Sequence, residues 1–336
     1  MRQHIIERIG RSGPIPFEVF MDTALYGPEG FFSGDVLRSE KGGDFLTSPE
    51  VSPLFGETLA VYVDQVRSDI GEPFELVEVA SGSGSLLRPL LESVRVDALA
   101  VEISPAARDS ITDLVPVSDR LPESIRGVVI ANELLDNLPM ALAQKVSGEW
   151  RERWVGLDRR NLVFVDVEPR PEVLEWLNSY AGPVDDGGWV EVQLEARRWL
   201  GAAVASMERG SVLLFDYGDT AENLVPRRRD GTLRTYRAHH LGPHPLDDPG
   251  ATDITADVNF SALLDLAPTS VLHRQDDFLS ALGLRDRLAD LRRTELEAAR
   301  SGDDPERLRL RNLKTEAETL LHPRGLGDFR VLEIIV

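Results

Sequence analysis

The chain has 336 residues, 42% hydrophobic and 28% charged, and this balance excludes a chain that is disordered throughout or built from fibrous repeats. Its 57 acidic against 37 basic side chains give a formal charge of −20, which disfavours binding to nucleic acid or to an anionic membrane surface. The absence of cysteine excludes disulfides, thiolate nucleophiles and cysteine-ligated metals, and we expect a cytoplasmic protein.

The first 70 residues predict helices around one long loop. Residues 17–25 and 53–66 have helical spacing of apolar positions, and the glycine-bearing segment 26–50 lies between them. We expect residues 1–70 to form an N-terminal helical lid. No apolar run has the length of a signal peptide or of a membrane span, which needs roughly 20 residues.

From residue 74 onward, strands alternate with helices. Short apolar runs predict strands at 74–80, 97–103, 127–131, 211–217 and 329–335. Helical patterns occur at 86–94, after Ser104 and Pro105, and at 171–180, 191–207 and 276–322. This alternation predicts an α/β fold with a doubly wound sheet over residues 71–336.

Two segments interrupt the predicted α/β pattern. Residues 141–170 alternate and contain turn signals, so we expect a small antiparallel subdomain within an insertion at about 141–200. Residues 218–260 are rich in Gly, Pro and Asp, and we expect a second insertion there, a long ordered loop over the site.

A glycine-containing turn follows the first predicted strand, after Glu78. Gly82 and Gly84 allow a sharp turn and a close approach of a ligand to the backbone. Glu102 ends the second strand about 20 residues later, where a carboxylate can accept both hydroxyls of a ribose. The pair fits a dinucleotide or S-adenosylmethionine, or a plain turn beside a surface glutamate. Glu78, and Leu87 where the dinucleotide fingerprint has its third glycine, favour S-adenosylmethionine.

A polar motif follows the strand at 127–131. Asn132, Glu133 and Asp136 come at the carboxyl end of that strand, where open α/β sheets bind their ligands. If the segment is helical, Glu133 and Asp136 share one face, and two carboxylates there suit a planar guanidinium. The alternative is an acidic cluster that only caps the start of a helix.

Three further patterns are weaker. The segment 43–50 (GDFLTSPE) ends in a helix start, with Ser48 as the N-cap and Pro49 at the first position. Histidines 239, 240 and 244 match no common metal-site spacing, so we predict no metal. No G-x-S-x-G elbow is present, which argues against a serine hydrolase.

Several blocks in the same order resemble the MidA-like family of bacterial and mitochondrial methyltransferases, tied in eukaryotes to assembly of respiratory complex I. The resemblance runs from about Ile15 to the last strand. Residues 24–32 (ALYGPEGFF) resemble its "ALYxPxxGYY" opening, 43–57 its "GDFxTSPE…FGE" block, and 132–139 (NELLDNLP) its "NExxDALP" motif. Later landmarks match at 216–218, 231–233 and 253–255.

The resemblance implies a class I methyltransferase with a Rossmann-like sheet and S-adenosyl-L-methionine as cofactor. It implies that Asn132, Glu133 and Asp136 act on the acceptor, a protein arginine. The implied cofactor-binding residues are Asp44, Phe45, Thr47, Ser48, Glu78, Ala80, Gly82, Gly84 and Glu102. Asp44 and Phe45 would cover the cofactor and exclude water.

The sequence departs from the family motif at one place, and this departure leaves other functions open. The family's "ELGPGxG" motif has glycine and proline where this chain has Ala80 and Ser81. A methyl group at Ala80 requires a negative φ or a small shift of the loop. The alternatives are a methyltransferase acting on a small molecule and an assembly or binding factor without turnover. Partners beyond a protein or small-molecule acceptor are not indicated, and both a monomer and a homodimer fit the sequence.

Overall fold

The structure is a computed structural model that describes residues 1–34, 47–237 and 240–336. Its strands in these ranges are β1 (Ile15–Pro16), β2 (Glu75–Val79), β3 (Asp97–Val101), β4 (Val117–Ser118), β5 (Ile125–Asn132), β6 (Ala141–Val146), β7 (Glu149–Asp158), β8 (Asn161–Val167), β9 (Trp189–Val192), β10 (Met207–Asp216), β11 (Gly218–Asp219), β12 (Arg234–Arg237), β13 (His240–Leu241), β14 (Asp253–Thr255), β15 (Val258–Asn259), β16 (Val271–Arg274) and β17 (Arg330–Ile335).

The α-helices in the same ranges are α1 (Arg2–Ser12), α2 (Phe17–Tyr26), α3 (Ser48–Val51), α4 (Pro53–Ile70), α5 (Leu87–Ser93), α6 (Pro105–Ile111), α7 (Pro171–Tyr180), α8 (Leu194–Ser206), α9 (Ala221–Leu224), α10 (Ser261–Leu264), α11 (Gln275–Ala281), α12 (Leu284–Ser301) and α13 (Asp304–Leu320). Short 3₁₀ turns occur at Leu135–Asn137, Val225–Arg227 and Leu326–Asp328. None of these helices is long and apolar enough to cross a bilayer.

The large sheet has the order β16-β17-β10-β5-β2-β3-β4. The strands from β10 to β4 are parallel, whereas β17 runs antiparallel to both β10 and β16. The chain moves outward in opposite directions from the adjacent pair β2 and β5. This reversal is the switch point where open α/β sheets form a crevice for ligands, so the predicted doubly wound fold is confirmed.

The central strands are buried on both faces. In β5, Val128 and Ile130 contact the core formed with α4 and α5, while Val129 contacts the core on the α8 side. Helices on both faces remove these apolar side chains from water, which is why such strands are continuous apolar runs. The predicted helices at 276–322 are α11, α12 and α13, whose buried leucines join the core on the α4 side.

A second sheet forms beside the large one. It has the order β1-β7-β6-β9, and β8 pairs with β7, so the antiparallel excursion predicted from 141–170 is present. Helices α1 and α2 pack on this sheet in one apolar cluster. Helix α4 instead packs in the core of the large sheet, so the division expected at residue 70 does not coincide with the packing.

Other expectations need correction. The helix predicted at 191–207 begins as strand β9, and α8 covers only Leu194–Ser206, because Trp189–Val192 pairs with β6. Strand β16 was not expected, since its edge position leaves it little apolar signal. The predicted loop 218–260 contains the short strands β11 to β15.

Close packing at the switch point predicts a severe effect of Gly127→Ala. A Cβ atom at Gly127 would lie 1.9 Å from the carbonyl oxygen of Glu75 in β2, so the two strands cannot remain paired. We expect the free energy of unfolding to fall by at least about 3 kcal/mol. Gly201→Ala is the control, because no atom of the described residues lies within 4 Å of that Cβ and alanine favours helix α8 by about 1 kcal/mol. Urea unfolding of both variants measures the difference, and similar values for the two would contradict this account.

Candidate functional site

A cavity of about 900 Å³ lies at the carboxyl ends of β2, β3 and β5. The turn after β2, the segment after β3 and the segment after β5 form its floor, and side chains of α2 and α8 line it as well. Eight acidic and three basic side chains line the described part of the cavity. Such a cavity attracts cationic ligands.

The turn after β2 is left-handed at three positions. Ala80, Gly82 and Gly84 have φ angles of 57°, 52° and 75°. A Cβ atom at Gly84 would lie 2.7 Å from Cγ2 of Ile111, so this position requires glycine. Ala80 retains the conformation that glycine favours, and its N–H donates to the carbonyl oxygen of Val101 at 2.9 Å. Of the two alternatives given for Ala80, the negative φ is therefore absent, because the residue is left-handed in spite of its methyl group.

Glu102 holds this turn in place. Its Oε2 accepts the N–H of Gly82 at 3.0 Å, and its Oε1 accepts the N–H groups of Ile103 and Ser104, each at 2.8 Å. Burial raises the pKa of Glu102, and the three N–H donors oppose that rise. A carboxylate offers about four acceptor positions. Roughly one acceptor position therefore remains for a ligand hydroxyl, and the binding of both ribose hydroxyls stays a prediction.

Glu78 is a buried carboxylate at the end of β2. It is 3% exposed, lines the cavity, and its Oε2 has no hydrogen-bond partner among the described residues. Burial raises the pKa of Glu78 to about 8, and the nearby Glu102 adds to the effect. A buried carboxyl oxygen without a partner is costly, and a cationic amino group in the cavity would relieve that cost.

Asn132 and Glu133 project into the cavity from the end of β5. Asn132 Nδ2 donates to Glu133 Oε1 at 3.0 Å, whereas the buried Oδ1 of Asn132 has no partner in the described part of the chain. Glu133 has a φ of 51°, and its N–H donates to the carbonyl oxygen of Phe215 at 2.8 Å. Burial and the charge of Asp136 raise the pKa of Glu133 to about 8.

Asp136 does not share a face with Glu133 as expected. The segment after β5 forms only a 3₁₀ turn at Leu135–Asn137, preceded by the left-handed Glu133, so an α-helical face never forms. Asp136 is 3% exposed, does not line the cavity, and accepts hydrogen bonds from Thr255 Oγ1 at 2.6 Å and from the Tyr217 hydroxyl. Asp136 can therefore act on the site only through the residues that it contacts.

Asp216, at the end of β10, holds the Leu135–Asn137 turn from below. Its Oδ2 accepts the N–H of Leu135 at 2.9 Å and that of Asp136 at 3.3 Å. Full burial, with Asp136 and Glu133 nearby, raises the pKa of Asp216 well above its usual range. The sequence showed Asp216 only as the end of a strand at this sheet edge.

The segment 43–50 is only partly described. Asp44 and Phe45 lie outside the described residues, as does His239. Thr47, and not Ser48, is the N-cap of α3, in a capping box with Glu50. Thr47 lines the cavity, whereas Ser48 is fully buried and its hydroxyl is within hydrogen-bond distance of Gln275.

Several cavity residues were missed by sequence reasoning. Asp119 and Leu121 follow the short strand β4, which gave no apolar run to reveal it. Glu18, Asp22 and Tyr26 come from α2, whose polar positions look like an ordinary solvated face in sequence. In residues 1–34, 47–237 and 240–336, no group of three or more His, Asp or Glu side chains could hold a metal ion.

Comparison with known proteins gives a family match over the site. Residues 54–275 match the model of a family described as S-adenosyl-L-methionine-dependent methyltransferases. A Burkholderia thailandensis protein crystallised with S-adenosylhomocysteine superposes with a TM-score of 0.87 at 28% identity, over 100% of this chain and 91% of that one. A native structure from the same organism gives 0.84 at 27% identity, with the same coverage.

Curated relatives come from animals. Protein arginine methyltransferase NDUFAF7 of Mus musculus is 28% identical over 86% of this chain and 75% of its own length. The Drosophila melanogaster homologue is 27% identical over 78% of this chain and 68% of its own. Both are named mitochondrial, which contradicts the cytoplasmic location that we expected from the composition.

The residues present fit S-adenosyl-L-methionine, the cofactor of the matched family. Oε2 of Glu78, which has no hydrogen-bond partner in the described ranges, suits an amino group. The remaining acceptor position of Glu102 suits a ribose hydroxyl, and the open turn at Ala80 and Gly82 lets a ligand approach the backbone. The cofactor expectation is confirmed, whereas the cofactor role of each residue stays a prediction.

The left-handed backbone at Ala80 predicts that Ala80→Gly stabilises the protein. Removing the Cβ from a left-handed position should raise the free energy of unfolding by about 1 kcal/mol. Ala299→Gly, at an exposed position of the right-handed helix α12, is the control and should lower it by about 1 kcal/mol. Denaturant titration compares the two, and a loss of stability in Ala80→Gly would show that the turn is not left-handed there.

Proposed function

Because this chain belongs to the family of S-adenosyl-L-methionine-dependent methyltransferases, we propose that it methylates an arginine guanidinium of a protein. The observation that carries the proposal is a pair of hydrogen-bond acceptor groups at the end of β5. Asn132 Oδ1 is buried without a partner among the described residues, and the carboxyl group of Glu133 lies beside it in the cavity. The relatives named protein arginine methyltransferases support the same acceptor.

A guanidinium matches these groups in geometry and charge. It is planar and offers N–H donors in a fixed fork, so one edge can donate to Asn132 Oδ1 and to the Glu133 carboxylate together. It also brings a positive charge into a cavity lined mainly by acidic side chains. These contacts would hold the acceptor nitrogen in one orientation, and such positioning supplies much of the rate enhancement in transfer reactions.

The bound cofactor supplies an electrophilic methyl group on a sulfonium, and its sulfur keeps the electron pair of the broken carbon–sulfur bond. The acceptor nitrogen forms the new nitrogen–carbon bond and must lose one proton. Glu133 can take that proton, because a carboxylate whose pKa is about 8 is a stronger base than an ordinary glutamate. The proton then passes to water when the product leaves.

Asp136 and Asp216 have positioning roles in this scheme. Asp216 holds the Leu135–Asn137 turn through two N–H groups, and Asp136 ties the same turn to Thr255 and Tyr217. Neither lines the cavity. The charge of Asp136 also raises the pKa of Glu133, so it increases the affinity of that carboxylate for a proton.

The proposal is tested with two peptide libraries that differ only at a fixed central residue, arginine or lysine. Incubation with the cofactor should add 14 Da to the arginine library, read by mass spectrometry. Glu133→Gln, which keeps the shape but loses the charge and the base, should lower kcat about 100-fold. The variant should bind S-adenosylhomocysteine with unchanged affinity in calorimetry. No methylation of any arginine peptide by the wild-type protein would contradict the proposal.

The raised pKa of Glu133 predicts the pH dependence of methylation. Only the carboxylate form pairs with the guanidinium and accepts its proton, so kcat/KM should rise as pH increases through about 8 and then level off. Glu78 titrates in the same range, so Glu78→Gln at saturating cofactor is the matched control. We expect the rise of kcat/KM with pH to persist in Glu78→Gln and to disappear in Glu133→Gln. A rise that disappears in Glu78→Gln and persists in Glu133→Gln would exclude Glu133 as the base.

A further inference from the structure

One face of helix α2 lines the cavity with polar and aromatic side chains. Glu18, Asp22 and Tyr26 are spaced by four residues, so they lie on the same helical face, and all three line the cavity. Phe32, six residues later, lines the cavity too. The rings of Tyr26 and Phe32 are stacked, with centroids 5.6 Å apart and an interplanar angle of 21°.

The two rings are held firmly. The Tyr26 hydroxyl donates to the carbonyl oxygen of Asn137 at 3.1 Å, which ties α2 to the segment that carries Asn132 and Glu133. The N–H of Phe32 donates to the carbonyl oxygen of Leu25 at 2.9 Å, and its ring packs edge-on against the buried Phe31, with centroids 5.0 Å apart. Both rings are half-buried. They therefore form a preorganised aromatic wall of the cavity that also holds Asn132 and Glu133.

A carboxylate lies one helical turn from this wall. Asp22 is exposed and makes no ion pair with any residue in the described ranges. The positive charge of Arg8 and the negative charge of Glu195 in α8 both act on Asp22. By contrast, Glu18 is already paired with Arg170. A flat ring with an unpaired carboxylate beside it is the combination that binds a guanidinium, which can stack and form an ion pair at once.

We propose that the aromatic wall of Tyr26 and Phe32 selects an arginine guanidinium over a lysine ammonium, and that Asp22 adds attraction for the positive charge. This inference rests on the proposed function and names the groups that choose its substrate. The planar guanidinium stacks on the rings, whereas the compact, strongly hydrated ammonium gains little from stacking. Asp22 attracts both cations and does not distinguish them.

The test uses the arginine library as substrate and the lysine library as a competitor. Tyr26→Leu, which removes the ring, should raise KM for the arginine library about tenfold and leave the inhibition constant of the lysine library unchanged. Tyr26→Phe keeps the ring and loses only the bond to Asn137, so its KM should stay within about twofold of the wild type. Asp22→Asn should weaken both libraries by the same factor.

Calorimetry with S-adenosylhomocysteine shows whether a variant changes the binding of the cofactor product or only the binding of the peptide substrate. Unchanged affinity in Tyr26→Leu supports the acceptor assignment. A loss of that affinity, or an equal loss for both peptide libraries in Tyr26→Leu, overturns the inference while leaving arginine methylation intact. A wild-type protein that methylates no arginine peptide overturns the proposed function, and the inference with it.

Discussion

Two adjacent parallel strands, β2 and β5, are each followed directly by a residue whose backbone is left-handed although it is not glycine. Ala80 has a φ of 57° and Glu133 a φ of 51°. Such conformations cost of order 1 kcal/mol or more and persist only where the surroundings enforce them. Here the N–H of Ala80 bonds to Val101 and that of Glu133 bonds to Phe215. At each of these two residues the backbone turns away from the sheet edge at the switch point. The cavity lies where the chain turns away after both strands.

The second feature of the site is an accumulation of carboxyl groups in low-dielectric surroundings. Glu78, Glu133 and Asp216 all have raised pKa values, mainly because burial disfavours their charged forms. The fold bears this cost instead of pairing each group with a basic side chain. A site prepared in this way favours cationic ligands, because a bound positive charge restores the carboxylates to their ionised forms. A sulfonium cofactor and the proposed guanidinium acceptor are both cations.

The two sheets contribute different parts of the cavity lining. The large sheet supplies the glycine turn after β2 and the segment after β5, both anchored in a core that is buried on two sides. The smaller antiparallel sheet carries α1 and α2, so the aromatic wall of Tyr26 and Phe32 belongs to a different packing unit from Glu133. The bond from Tyr26 to Asn137 joins the two units at the site.

Local signals in the sequence determined the order of the main strands and helices of the large sheet, the glycine turn after β2 and the polar motif after β5, because apolar runs, glycine spacing and strand ends are properties of consecutive residues. The motif resemblance added the cofactor and the family. Tertiary structure alone decided that Asp136 points away from the cavity, that Asp216 holds the Leu135–Asn137 turn, and that Asp22 and Tyr26 line the site. These facts depend on contacts between residues that lie about 80 to more than 100 positions apart, such as Asp216 with Leu135 and Tyr26 with Asn137, and no local pattern encodes such pairings.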